Sequence, residues 1–166
     1  MAGVAVAPAG PASIREASQV DLLWVVGAIE RCFAEVGLSD HGLSYDRRSA
    51  GRFLLTLMLS GQGNIWVAEL DDTPVGLRVA QLAPYPFNSQ VLIASGLLWY
   101  VEPEARALGI GEQLFACFER WAREQGARSI QVMPLAYKGS TRGFFEKRGY
   151  VLVEEHFLKE LGDDDR

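Results

Sequence analysis

The chain has 166 residues, 49% of them hydrophobic and 22% charged, with 21 acidic against 16 basic side chains and a net charge of −5. That length suits one domain that can bury a core of its own without disulfides or a structural metal. The acidic balance argues against a nucleic-acid surface. No apolar run reaches the ~18 residues needed to span a bilayer, so neither nucleic acid nor membrane is expected as a partner.

Residues 1–12 are rich in Ala, Gly, Val and Pro, lack a basic region and are interrupted by Pro8 and Pro11. They read as a disordered leader and not as a signal peptide. Residues 13–161 read as the single domain and 162–166 as an acidic tail. Cys32 and Cys117 fall on expected apolar helix faces. They are read as reduced core residues, which points to a reducing, cytoplasmic compartment.

Residues 14–17 form a short strand candidate. Ser18, with Asp21 three residues on, reads as a capping box. The helix that follows carries Val20, Leu23, Trp24, Ala28, Ile29 and Phe33 at the spacing of one apolar face. A polar loop over 38–45 holds His41 and Tyr45, and a second helix spans 46–60 with Phe53, Leu54, Leu57 and Met58 inward. Two strands, 65–70 and 75–82, flank the tight turn Asp71-Asp72-Thr73-Pro74. Residues 84–88 read as a loop because two prolines remove ladder donors. A long apolar strand follows over 91–101, with Gly96 as a bulge candidate.

Pro103 closes that strand, and a helix runs over 110–125 with Leu114, Phe118, Trp121 and Ala122 on one face. Residues 129–133 form a strand stopped by Pro134, 140–148 a short helix, and 150–153 and 156–161 two final strands. The order is β-α-α-β-β-β-α-β-α-β-β, a mixed α/β pattern without an internal repeat.

The informative segment joins the long strand to the helix after it: Arg106-Ala107-Leu108-Gly109-Ile110-Gly111-Glu112. A helix N-terminus exposes unpaired N–H groups and a partial positive charge. Glycines there let backbone approach an anion, and Arg106 can add a charge-assisted contact. A pyrophosphate fits such a turn. The dinucleotide fingerprint fails, because Leu114 stands where a third small residue is needed, and no Gly-Lys-Ser/Thr of a P-loop is present. On the two glycines alone, a purely structural strand-to-helix turn is an equal alternative.

The Arg-x-x-Gly-Ile-Gly segment follows a strand ending Trp99-Tyr100-Val101-Glu102-Pro103-Glu104. Together they resemble the acyl-CoA signature of the GNAT superfamily of N-acyltransferases. A second block, Phe144-Phe145-Glu146-Lys147-Arg148-Gly149-Tyr150, is similar to that family's (Leu/Phe)-Tyr-Glu-Lys-x-Gly-Phe. The resemblance implies a GNAT-type α/β fold, with a mostly antiparallel, splayed central sheet flanked by about four helices. It implies an N-acetyltransferase that moves an acetyl group from acetyl-CoA to an amine by direct attack, with no metal. The acceptor class is a small-molecule or peptide amine, and a homodimer is a family-level expectation.

The resemblance also assigns residues. Backbone N–H groups of Leu108, Gly109, Ile110, Gly111 and Glu112 would hold the CoA pyrophosphate, beside Arg106. Main chain at Trp99, Tyr100 and Val101 would pair with pantetheine, and an N–H near Val101 would polarise the acyl carbonyl. Lys138, Phe145 and Lys147 fall at further cofactor positions, with Arg142, Lys147 and Arg148 as a small basic group for the 3′-phosphate. The chain departs from the pattern at Phe145, where the family usually has a tyrosine acid. Tyr137 is the preferred substitute, with Tyr100 and Ser140 as alternatives, and a thiolate that leaves unaided or through water is a further one. His41 is the tentative base, and Glu69 and Glu102 are expected to be solvated. Residues 38–45 and 84–90 are expected to shape the acceptor site. A non-catalytic acyl-CoA-binding module of the same fold is the alternative reading, motivated by Phe145.

Overall fold

The apolar period switches from about four to two as the chain passes from helices to strands, and the elements follow that switch. The computed structural model describes residues 12–133 and 141–161. Strand β1 (Ser13–Glu16) leads through a 3-10 turn (Gln19–Asp21) into helix α1 (Leu22–Val36). A second 3-10 turn (Leu38–His41) precedes α2 (Arg47–Ser60). Strands β2 (Gly63–Leu70), β3 (Thr73–Tyr85) and β4 (Asn88–Val101) form a meander. A third 3-10 turn (Pro103–Leu108) enters α3 (Ile110–Glu124), followed by β5 (Ser129–Val132) and α4 (Arg142–Lys147).

The five strands lie in chain order across one sheet. The first four pair antiparallel, and β5 runs parallel to β4 after the α3 crossover. The mixed α/β architecture with a mostly antiparallel sheet is thus present. The expected leader, apart from Ala12, and the expected tail at 162–166 lie outside the described residues.

Local chemistry fixes the entry to α1. The Asp21 carboxylate accepts from the Ser18 N–H at 2.7 Å and from the Ser18 hydroxyl at 3.0 Å. It also accepts from both terminal nitrogens of Arg15 at 2.8 and 2.9 Å. These donors, Arg15 first, hold its pKa well below the usual carboxylate range. Between β2 and β3 the chain reverses on Asp71 and Asp72, both at positive φ (47° and 60°). That is the geometry of a two-residue hairpin turn matched to the twist of its strands. Thr73 and Pro74 accordingly belong to β3, not to the turn.

The sheet separates two apolar layers. Val25, Ala28, Leu54, Leu57, Val67, Leu77 and Val79 pack between it and α1 with α2. Trp66, Ile110, Leu114, Phe115, Phe118, Trp121 and Phe145 pack between its other face and α3 with α4.

Four expectations need correction. Val20 and Leu23, placed on the inward face of α1, are 87% and 78% exposed. The α-helix begins at Leu22 after a 3-10 turn, which puts Val20 out of phase with the later stripe, and Leu23, inside the helix, lies off the buried Val25–Ala28–Cys32 line. Phe53 is half exposed, one position off the Leu54–Leu57 line. The 84–88 loop is a hairpin tip, since β3 reaches Tyr85 and β4 starts at Asn88. The two last strands do not form, and 149–161 carry no regular structure. A short apolar run such as Tyr150–Val153 marks a segment able to pair, but a ladder also needs a partner. After Tyr150, whose hydroxyl donates to Glu119 at 3.1 Å, the chain leaves the core. Val151, Val153 and Phe157 are exposed.

Candidate active site

Two sheet properties create the site. The pairing of β5 with β4 ends at Gly96 opposite Val132, whereas β4 continues to Val101. The outer edge of residues 97–101 is therefore not paired with β5, and a cleft of about 320 Å³ opens there. A β-bulge sits at the fork: Val79 pairs with Leu98 and Ala80 with Gly96, leaving Leu97 over. The bulge expected at Gly96 is present at its neighbour.

The direction of the free backbone groups follows from register. Glu102 donates its N–H to Val75 at 2.8 Å, so 102 and 75 stand at a hydrogen-bonded position of the ladder. Antiparallel pairs alternate between bonded and non-bonded. Tyr100 and Leu98 therefore face β3 with their N–H groups, and Trp99 and Val101 turn theirs away, into the cleft. The Val101 carbonyl confirms the direction, because it accepts from Arg106 Nε at 2.9 Å.

Above the cleft stands the start of α3. Gly109 takes a left-handed conformation (φ 72°), which joins the 3-10 turn to the helix, and no atom lies within 4 Å of where its Cβ would be. The first intrahelical bond runs from Gln113 N–H to Gly109 O. The N–H groups of Ile110, Gly111 and Glu112 precede it and have no intrahelical acceptor. Gly111 is glycine for a different reason: a Cβ there would stand 3.0 Å from the Trp99 ring. Leu108 is half exposed on the same turn.

The second block meets the first. Phe145 is 7% exposed, lines the cleft, and lies against Trp99, Phe115, Phe144 and Tyr150. Arg148 pairs with Glu112 at 3.5 Å and stacks over the Phe144 ring. Lys147 is exposed on the last turn of α4. Arg142 pairs with Glu146. Tyr137, Lys138 and Ser140 lie outside the described residues.

Other side chains fall where the sequence did not put them. Glu102 is buried, not solvated; it accepts from Arg31 and from the Tyr100 hydroxyl at 3.0 Å. Burial first, then this carboxylate, push the Tyr100 hydroxyl up to about 12. Glu69 is held by Arg15 at the β1–β2 edge. Arg106 engages its guanidinium fork with Glu35 of α1, two bonds of 2.6 Å. It thereby ties α1 to the turn. His41 is exposed in the 3-10 turn after α1. The 84–90 tip lies about nine residues, roughly 30 Å along β4, from the fork. None of its residues lines the cleft. Cys32 does line it, and burial raises its thiol to about 11.

Sequence reasoning missed one residue entirely. Arg78, on β3, lines the cleft and is 2% exposed. Its signal was a single cation inside the apolar run Val75–Ala80, on a strand covered on both faces. Among the described residues no cluster of three or more His, Cys, Asp or Glu could hold a metal, and no helix is long and apolar enough to cross a membrane.

The comparisons agree with this geometry. No curated protein matches the chain. Its fold is similar to a predicted acetyltransferase from Clostridium acetobutylicum solved with acetyl-CoA (18% identity, 93% of this chain and 98% of that one, TM-score 0.72). It is similar to the aminoglycoside N-acetyltransferase AAC(6')-Iy in complex with CoA (17%, 92% and 97%, 0.71). It is also similar to a ribosomal-protein-alanine N-acetyltransferase from Brucella melitensis biovar Abortus 2308 (14%, 91% and 99%, 0.70). The family model for the acetyltransferase (GNAT) domain matches residues 61–152, more than half of the chain. The chain belongs to the GNAT acetyltransferase family.

Proposed function

We propose that the protein is an acyltransferase that moves an acetyl group from acetyl-CoA to an amine of a small molecule or peptide, by direct attack in a ternary complex. The observation that carries this reading is the open edge of β4. The N–H groups of Trp99 and Val101 face a cleft whose mouth is the uncapped start of α3. Acyl-CoA supplies the activated thioester.

The chain's own groups divide the work. The N–H groups of Ile110, Gly111 and Glu112, with the Leu108–Gly109 turn, hold a pyrophosphate where the helix dipole favours negative charge. Arg106 fixes that turn through Glu35 and the Val101 carbonyl. The N–H groups of Trp99 and Val101 receive the acceptors of the pantetheine arm, and one of them polarises the acyl carbonyl. Lys147 and Arg148, with Arg142, are assigned to the ribose phosphate. Holding both reactants in one cleft supplies much of the rate.

Proton transfer is assigned as follows. Phe145 cannot donate a proton, so the thiolate takes one from Tyr137 or from Tyr100. Tyr100 lines the cleft, and its raised pKa keeps it protonated at neutral pH, as a donor requires. His41, after α1, is assigned as the base that accepts the ammonium proton. Glu102 and Arg31 orient the Tyr100 hydroxyl.

The buried Phe145 supports a second reading, a module that binds acyl-CoA without turnover. One assay separates the two: acetyl-CoA is mixed with a panel of amines and free thiol is followed. Amine-dependent thiol release supports the transferase. CoA binding with no release across the panel supports the module, and no CoA binding removes both. Tyr137→Phe and Tyr100→Phe, compared in that assay, identify the acid by a loss of turnover with intact binding.

A further inference from the structure

The cleft is lined by a buried cation whose charge has no hydrogen-bonded counter-ion among the described residues. Arg78 projects from the centre of β3 toward α3, and its Nε and Nη2 are buried without a hydrogen-bond partner among the described residues. Phe118, Phe115 and Trp99 surround the guanidinium, with ring centres 4.4, 4.9 and 5.7 Å away. Rings attract a cation but do not accept its N–H groups as a carboxylate does. Glu119 and Tyr150 act on Arg78 only through charge, and the Glu119 carboxylate accepts from Tyr150 instead.

The guanidinium lies at the fork. A Cβ on Gly96 would stand 1.9 Å from Arg78 Nη2 and 2.9 Å from Cζ. Only glycine at that position lets the side chain pass across β4. Gly96 is also the last β4 residue paired with β5, so the charge sits where the two strands part. Resting on the CoA reading above, a donor held along Val101 and Trp99 extends its acyl chain down β4 toward this point. A pocket for an acetyl or alkyl group alone needs an apolar floor. Arg78 lines this cleft, and its planar fork of donors, packed beside Gly96 with Nε and Nη2 unpartnered, matches a carboxylate that reaches it.

We propose that the pocket selects an acyl donor whose far end is a carboxylate, a dicarboxylic monothioester of CoA with a short chain such as succinyl. Arg78 binds that carboxylate at the β4–β5 fork and determines donor specificity. In the transfer, the acceptor amine forms a C–N bond to the thioester carbon. The C–S bond breaks, the electron pair leaves with sulfur, and the ammonium proton is passed on so that a thiol is released. The amide product keeps the free carboxylate, and Arg78 takes no part in bond making.

The test uses the full chain and equilibrium binding, which needs no acceptor. Calorimetric titrations compare succinyl-CoA with butyryl-CoA, a neutral thioester of the same chain length, and with acetyl-CoA. Succinyl-CoA is expected to bind the wild-type protein about tenfold or more tightly than butyryl-CoA, the return from one charge-assisted hydrogen-bonded pair. In Arg78→Met that ratio is expected to fall to one or below. A wild-type protein that binds butyryl-CoA or acetyl-CoA as tightly as succinyl-CoA overturns the proposal while leaving the CoA site intact. A preference that survives in folded Arg78→Met overturns the role of Arg78. Failure to bind any CoA thioester overturns the underlying CoA reading. If Arg78→Met does not fold, Arg78→Lys, which keeps the charge but loses the planar fork, is expected to reduce the ratio, and an unchanged ratio overturns the role.

Discussion

Replacing Arg78 by Met should make the ligand-free protein more stable, although it removes a large buried side chain from the central strand. Burial, partly offset by the charges of Tyr150 and Glu119, draws the Arg78 pKa from 12.5 down to about 10. At about 1.4 kcal/mol per tenfold change, that is roughly 3 kcal/mol against the charged form. Contacts with the three rings return part of this, about 1–2 kcal/mol for a desolvated cation–π cluster. Methionine fills similar space and adapts to the gap beside Gly96. Replacing buried ions by apolar residues of similar volume is often neutral or stabilising by about 1–4 kcal/mol. The net expectation is a gain of about 1–2 kcal/mol. The assay is urea unfolding without added thioester. With a slope of about 2 kcal/mol per M, the midpoint should rise by about 0.5–1 M. A loss of more than about 2 kcal/mol would refute the reasoning, because it would mean that the guanidinium is satisfied in the folded protein.

Three further predictions follow from the same geometry. Gly111→Glu drives a side chain into the Trp99 ring and adds a carboxylate beside the free N–H groups of α3. CoA affinity should fall roughly a hundredfold or more, and Gly111→Ala, which adds the crowding without the charge, should fall less; equal losses would mean that charge is irrelevant there. Asp21→Asn should destabilise the fold by about 2 kcal/mol at pH 7, after allowing for solvent around Arg15. Because the folded-state pKa of Asp21 is depressed, wild type keeps that advantage above about pH 4 and loses it as the pH drops further; a difference between the two proteins that does not shrink at pH 3 would contradict this. Tyr100→Phe should lower turnover by about 10²–10⁴-fold with unchanged CoA affinity if Tyr100 is the acid, and an unaltered rate would leave the role to Tyr137.

Much of this site could be read from residues close together in sequence. The Ser18–Asp21 box, the stripe from Leu114 to Trp121 and the glycines at 109 and 111 are local signals, and each marks an element present in the fold. The outward direction of the N–H groups at Trp99 and Val101 follows from strand parity, but only once the Glu102–Val75 ladder bond is known. What escaped depends on contacts distant in sequence. Glu102 reads as a solvated residue beside Pro103 until Arg31, 71 positions away, closes over it. The Arg106 side chain reads as a phosphate contact, and its pairing with Glu35, 71 positions away, is a contact that no local pattern specifies. Arg78 stands out locally only as a lone cation in an apolar run, and its place beneath α3 depends on Gly96 of the neighbouring strand. The apolar run Tyr150–Val153 is a strand signal, but pairing depends on a partner that a local pattern does not specify.

The central claim is that the open edge of β4 and the start of α3 form one binding site for CoA. A structure of the protein with bound CoA tests it most directly. It should place pantetheine acceptors about 2.7–3.2 Å from the N–H groups of Trp99 and Val101, and the pyrophosphate over Ile110, Gly111 and Glu112. CoA bound elsewhere, with those N–H groups facing only solvent, would contradict the account.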